Sequence, residues 1–91
     1  MAKKVENGKG FLILEITREE LLDKLAEYGS TGICDSCGLP AGKGYYIAVL
    51  NQWFCEDCYK EWLMGATRYV EDIPFEEKWF EYYCRLFGVP F

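Results

Sequence analysis

Apolar positions in this chain gather into two short runs and three stripes of helical spacing. The first run, Phe11–Ile16, is short, apolar and partly β-branched, which predicts a strand. Thr17 and Glu20 then stand in the arrangement of a capping box, in which each side chain serves the other residue's backbone N–H. Leu21, Leu22, Leu25 and Tyr28 continue on one face, so a helix is expected over residues 18–28, stopped by Gly29. The second run, Tyr45–Leu50, predicts another strand, with Asn51-Gln52 as the turn and Trp53-Phe54 opening the returning strand. From Cys58 to about Tyr69 the spacing is helical again, with Trp62, Leu63, Ala66, Tyr69 and Val70 as its apolar positions. Residues 70–74 break that helix. Asp72 or Ile73 starts the next, with Pro74 in its first turn, Glu76 and Glu77 suited to its positive end, and Gly88 and Pro90 stopping it.

The last helix is apolar on two sides. Phe75, Trp79, Tyr82/Tyr83 and Leu86 form the stripe expected to face the core. Phe80, Cys84 and Phe87 form a second, and one helix on one small domain seldom buries both. Two readings stay open. Either both stripes are core, or Phe80 and Phe87 are exposed and anchor a protein partner or a second copy in a homodimer. Glu76, Glu77 and Glu81 are expected on the solvated face, and Cys84 is expected as a small buried hydrophobe rather than a reactive thiol.

Ninety-one residues bound a single domain with little core to spare, so a metal staple would help it fold. The polar stretch 1–10 is expected as a flexible tail, leaving 11–91 as the domain. No apolar secretory leader is visible, and no run is long enough to span a bilayer, so a cytoplasmic location without membrane contact is expected. The formal charge of −5 works against binding the phosphate backbone of a nucleic acid, and the basic residues are scattered.

The cysteines change the picture most. Cys34/Cys37 and Cys55/Cys58 are two Cys-x-x-Cys pairs, and the interval between them suits a four-thiolate zinc site. In a reducing compartment such pairs read as metal ligands rather than disulfides, and the odd fifth cysteine, Cys84, agrees. Four thiolates satisfy the tetrahedral preference of Zn²⁺ and leave no open position, which points to one structural Zn²⁺ per chain. Sulfur ligands alone leave a one-iron centre or a redox dithiol open. Gly38, after the second cysteine, permits the positive φ that turns backbone N–H groups toward sulfur.

The order of knuckle, hairpin and cysteines in the first turn of a helix resembles a treble-clef zinc finger. In motif it is similar to the second zinc module of LIM domains. The resemblance covers residues 33–64, within a zinc module of about 33–70. It implies that Cys34 and Cys37 are the knuckle ligands, Cys55 the ligand ending the hairpin, and Cys58 the ligand on the helix; Trp53-Phe54 before Cys55 also fits. The fold class expected is α+β: a small treble-clef-like zinc domain, preceded by a strand–helix unit and followed by an aromatic helix.

The chain has no histidine, which removes the commonest general base and the Ser–His and Cys–His nucleophile pairs. No phosphate loop is present. The function expected is therefore a non-catalytic zinc-binding interaction module. A nucleic-acid-binding regulator using Lys43, Lys60, Arg68 and Arg85, or a metal-storage or redox thiol protein, are the alternatives.

Overall fold

The computed structural model describes residues 2–25 and 32–90. Four strands, β1 (Lys3–Val5), β2 (Ile13–Thr17), β3 (Lys43–Ile47) and β4 (Gln52–Cys55), pair antiparallel in the order β1-β2-β3-β4. Among the described residues three α-helices accompany them: α1 (Arg18–Leu25), α2 (Glu56–Gly65) and α3 (Ile73–Phe87), the last preceded by a 3₁₀ turn at Val70–Asp72. This is an α+β arrangement. The expected end of the first helix, with Tyr28 and Gly29, lies outside the described residues.

The strands lack strict alternation because both faces of the sheet are covered. Leu14, Ile16, Tyr46 and Trp53 point to one side and pack with Phe80, Cys84 and Phe87 of α3 and Leu21 of α1. Ile13, Tyr45, Ile47 and Phe54 point to the other and pack with Tyr59, Trp62 and Leu63 of α2. Neighbouring residues thus enter different cores. Glu15, the polar position in β2, lies between two cations: Lys3 on β1 at 3.3 Å and Lys43 on β3 at 3.1 Å.

The capping box forms as expected. Thr17 N–H donates to Glu20 Oε1 at 3.1 Å, and Glu20 N–H donates to Thr17 Oγ1 at 3.2 Å. β3 stops at Ile47, earlier than its apolar run, because Ala48–Asn51 form the turn. Asn51 takes φ 54°, a left-handed conformation that asparagine tolerates, and its Oδ1 accepts the Tyr46 hydroxyl at 2.6 Å.

The polar N-terminal stretch, expected as a tail, supplies β1 and a loop that docks on α2. Asn7 organises the loop by bonding the Lys9 and Phe11 N–H groups and the Phe11 carbonyl. Lys9 Nζ then reaches the carbonyls of Leu63 at 2.5 Å and Ala66 at 2.9 Å. Those carbonyls lie at the negative end of α2, whose own last turn carries no base. Lys9→Met is expected to cost about 0.3–1 kcal/mol, read as a lower denaturation midpoint. An unchanged midpoint would mean that water serves those carbonyls equally well.

α2 begins at Glu56 and ends at Gly65, whereas the sequence predicts Cys58 to about Tyr69. After Gly65 the chain becomes extended, leaving Tyr69 and Val70 exposed rather than on a helical core stripe.

The expected faces of α3 are largely reversed. Phe80, Cys84 and Phe87 are buried, so Phe80 and Phe87 are core residues and not the anchors of a partner. Phe75 and Tyr82, expected in the core, are exposed, while Trp79, Tyr83 and Leu86 pack at the core margin. Glu76, expected on the solvated face, is buried with Phe80, Cys84 and Phe87. It is 1% exposed and lies on the face of Phe80. Its Oε2 accepts Leu12 N–H at 2.9 Å and its Oε1 accepts Arg68 Nη2 at 2.8 Å. The pair therefore joins the residue before β2, the stretch after α2, and the start of α3. Gly88 closes the helix at φ 71°, with Val89 N–H donating to the Cys84 carbonyl at 2.8 Å.

Candidate metal centre

The four cysteines of the two pairs reach one point from three elements. Cys34 and Cys37 lie on the knuckle before β3, Cys55 ends β4, and Cys58 lies in the first turn of α2. Their Sγ atoms all fall within 4.8 Å of one another, and Cys37 and Cys55 are 4.0 Å apart. A tetrahedral ion with bonds of about 2.3 Å to sulfur places its ligands about 3.8 Å apart, so the cluster fits a metal ion with small adjustment. All five cysteines are free thiols.

The knuckle is shaped by its own backbone. Gly38 adopts φ 73°, Gly38 N–H donates to the Cys34 carbonyl and Cys34 N–H to the Leu39 carbonyl, both at 2.9 Å. This curl aims the Ser36 and Cys37 N–H groups at Cys34 Sγ, at 3.4 and 3.5 Å. Cys34 is buried, Cys37 exposed, and Cys55 and Cys58 half-buried.

Two residues that sequence reasoning missed hold the knuckle to the hairpin. Asp35 Oδ2 accepts Trp53 N–H at 2.8 Å, and Asp35 N–H donates to the Trp53 carbonyl at 2.9 Å. Asp35 thus continues the sheet beyond β4 and fixes the distance between the cysteine pairs. Gly44, opposite Cys55, lies beneath the Trp53 indole; a Cβ there would fall 2.5 Å from the ring and 2.6 Å from the Phe54 carbonyl. Only glycine lets Trp53 lie flat across β3, where its Nε1 reaches the Ile16 carbonyl at 3.2 Å. An Asp beside a cysteine and a Gly in a loop carry no distinguishing sequence signal; both roles depend on long-range register.

The set favours anionic sulfur at one ligand and resists it at another. Burial pushes the Cys34 thiol up, but N–H groups of Cys37, Cys55 and Ser36 outweigh it and bring the thiol down to about 6. Cys58 is pushed up to about 12, chiefly by its hydrogen bond to Cys55, then by burial. Without a cation Cys58 retains its proton; a divalent cation would supply the charge that replaces it. Glu56 and Asp57 occupy the first turn of α2, next to the sulfurs.

Cys84 lies apart from this group, 1% exposed in the α3-side core, and burial raises its pKa. No helix among the described residues is long and apolar enough to cross a membrane. Compared with known proteins, the chain matches no family model, no curated sequence and no solved structure.

Proposed function

We propose that the chain is a small, non-catalytic zinc protein of treble-clef type, in which one structural Zn²⁺ on Cys34, Cys37, Cys55 and Cys58 supports a protein-interaction surface. The observation that carries this reading is the meeting of four sulfurs where knuckle, hairpin and helix join. The element order and the aromatic pair before Cys55 support the likeness to the second zinc module of LIM domains. Four sulfur donors complete a tetrahedral shell, so the ion organises the fold and offers no open position to a substrate. The proposed interaction surface is the outer face of α3, where Phe75 and Tyr82 are exposed. A chain of net charge −5 in a reducing cytoplasm would meet proteins rather than nucleic acid through that face.

Elemental analysis of the purified chain is the test of the metal. One zinc per chain is expected, unchanged in Cys84→Ser and lost in Cys58→Ser. Iron in place of zinc, or a Cys58→Ser protein that retains its metal, would overturn the reading. For the interaction surface, a protein captured by the wild-type chain and lost in Phe75→Ser/Tyr82→Ser supports the assignment; capture indifferent to that change refutes it.

A further inference from the structure

The four clustered sulfurs differ in how they meet solvent. Cys34 is 1% exposed, and the Ser36 and Cys37 N–H groups close over its Sγ at 3.4 and 3.5 Å. Cys37 is exposed, and Cys55 and Cys58 are half-buried. Beside them lies a recess of about 520 Å³, lined by Cys37, Cys55 and Cys58 but not by Cys34. The Cys37 and Cys55 sulfurs stand 4.0 Å apart, although they belong to different Cys-x-x-Cys pairs. Glu56 and Asp57 line the same recess opposite in charge to Lys43, which Glu15 already pairs at 3.1 Å.

We infer that Cys37 is a modification site for small hydroperoxides, and that Cys55 resolves the product into a Cys37–Cys55 disulfide; this rests on the four-sulfur zinc reading above. A metal-held cysteine is a thiolate, the form that attacks an oxidant. The Cys37 thiolate attacks one oxygen of the peroxide. An S–O bond forms, the O–O bond breaks, and the departing oxygen anion takes a proton from water. The Cys55 thiolate then attacks the Cys37 sulfur. The S–S bond forms, the S–O bond breaks, and the leaving hydroxide takes a second proton. Two thiolates thus give up two electrons, and one hydroperoxide with two protons becomes an alcohol (water, from hydrogen peroxide) and one water. Exposure selects the first sulfur and contact selects the second. Closing 4.0 Å to a bond of about 2.05 Å needs a shift of about 2 Å between the knuckle and the end of β4. Charge selects the oxidant, because two carboxylates beside thiolate sulfur repel an anionic one and leave a neutral hydroperoxide unopposed. Once Cys37 and Cys55 are joined, Cys34 and Cys58 are too few to complete a tetrahedral shell, while the disulfide ties the knuckle to the hairpin.

Treating the zinc-loaded full chain with a small molar excess of hydrogen peroxide tests the site. Thiols titrated in denaturant should fall by two from five per chain, with one zinc released for each disulfide formed. Peptide mapping by mass spectrometry should place the bond between Cys37 and Cys55. Dimedone, a trap for sulfenic acid, should mark Cys37 when it is present during oxidation. Cys84→Ser should give the same product, because Cys84 is buried away from the cluster. A disulfide joining any other pair overturns the inference. So does a dimedone mark on a different sulfur, or a chain that keeps all five thiols through the treatment. Zinc content before oxidation separates this from the metal reading. A zinc-loaded chain that oxidises at another pair refutes the hydroperoxide site alone. A chain purified without metal that still forms the Cys37–Cys55 bond refutes the zinc reading alone.

Discussion

Chelating the metal is expected to unfold the chain, beginning with the knuckle and α2. Structural zinc contributes about 10–16 kcal/mol in finger peptides, against about 5–15 kcal/mol for the whole stability of a domain. Few other contacts hold the knuckle: Asp35 bonds Trp53 twice, while Ser36, Cys37, Gly38 and Leu39 are exposed. The loss would not stop there, because β3 serves both cores. Tyr45 and Ile47 face α2, while Tyr46 faces α3, so disorder on one side of the strand removes the other.

Acid should act in the same direction as chelation. Every ligand must shed its proton to bind, so uptake releases protons and affinity falls as pH falls. In the metal-free chain the two shifted thiols contribute oppositely. The contribution of Cys34, lowered to about 6, is complete above the ordinary thiol value of about 8.5 and is lost as pH falls through about 6. That of Cys58, raised to about 12, is complete below about 8.5 and is lost as pH rises toward 12. A bound divalent cation would remove the second effect by holding Cys58 as thiolate. Hydrogen exchange on the hairpin amides, with and without chelator at neutral pH, is the measurement. Amides equally protected in both samples would sink the assignment of a structural ion.

The second large effect is expected from Glu76→Ala, a loss of about 1–3 kcal/mol, the cost of leaving polar groups without their acceptor, since the Arg68 left behind is itself 30% exposed. Arg68 would lose its carboxylate, and its Nε already lacks a hydrogen-bond partner. The Leu12 N–H would lose its acceptor as well. Glu76→Gln retains an acceptor for Leu12 and should cost less than alanine. Urea denaturation of the zinc-loaded protein measures both. A loss below about 1 kcal/mol for alanine would show that water satisfies Arg68 and Leu12.

The elements written in local chemistry were legible without coordinates. The Thr17–Glu20 box, Pro74 in the first turn of α3 and the stop at Gly88 each follow from one or two residues satisfying nearby backbone groups. The cysteine set was legible for a similar reason: tetrahedral sulfur coordination demands closely spaced pairs, and little else in a chain produces that spacing. Tertiary structure decided what depends on distant partners. Residues 1–10 look like a tail because their strand is completed by β2 and their lysine by the end of α2. Helix α2 ends at Gly65, where Lys9 donates to its last carbonyls and the chain continues extended toward Arg68. The rotation of α3 was hidden most deeply. Both of its stripes are apolar, so periodicity alone cannot rank them. Among the residues it buries is a glutamate that hydrophobicity places in water, and only the approach of Arg68 and the Leu12 amide makes its burial favourable.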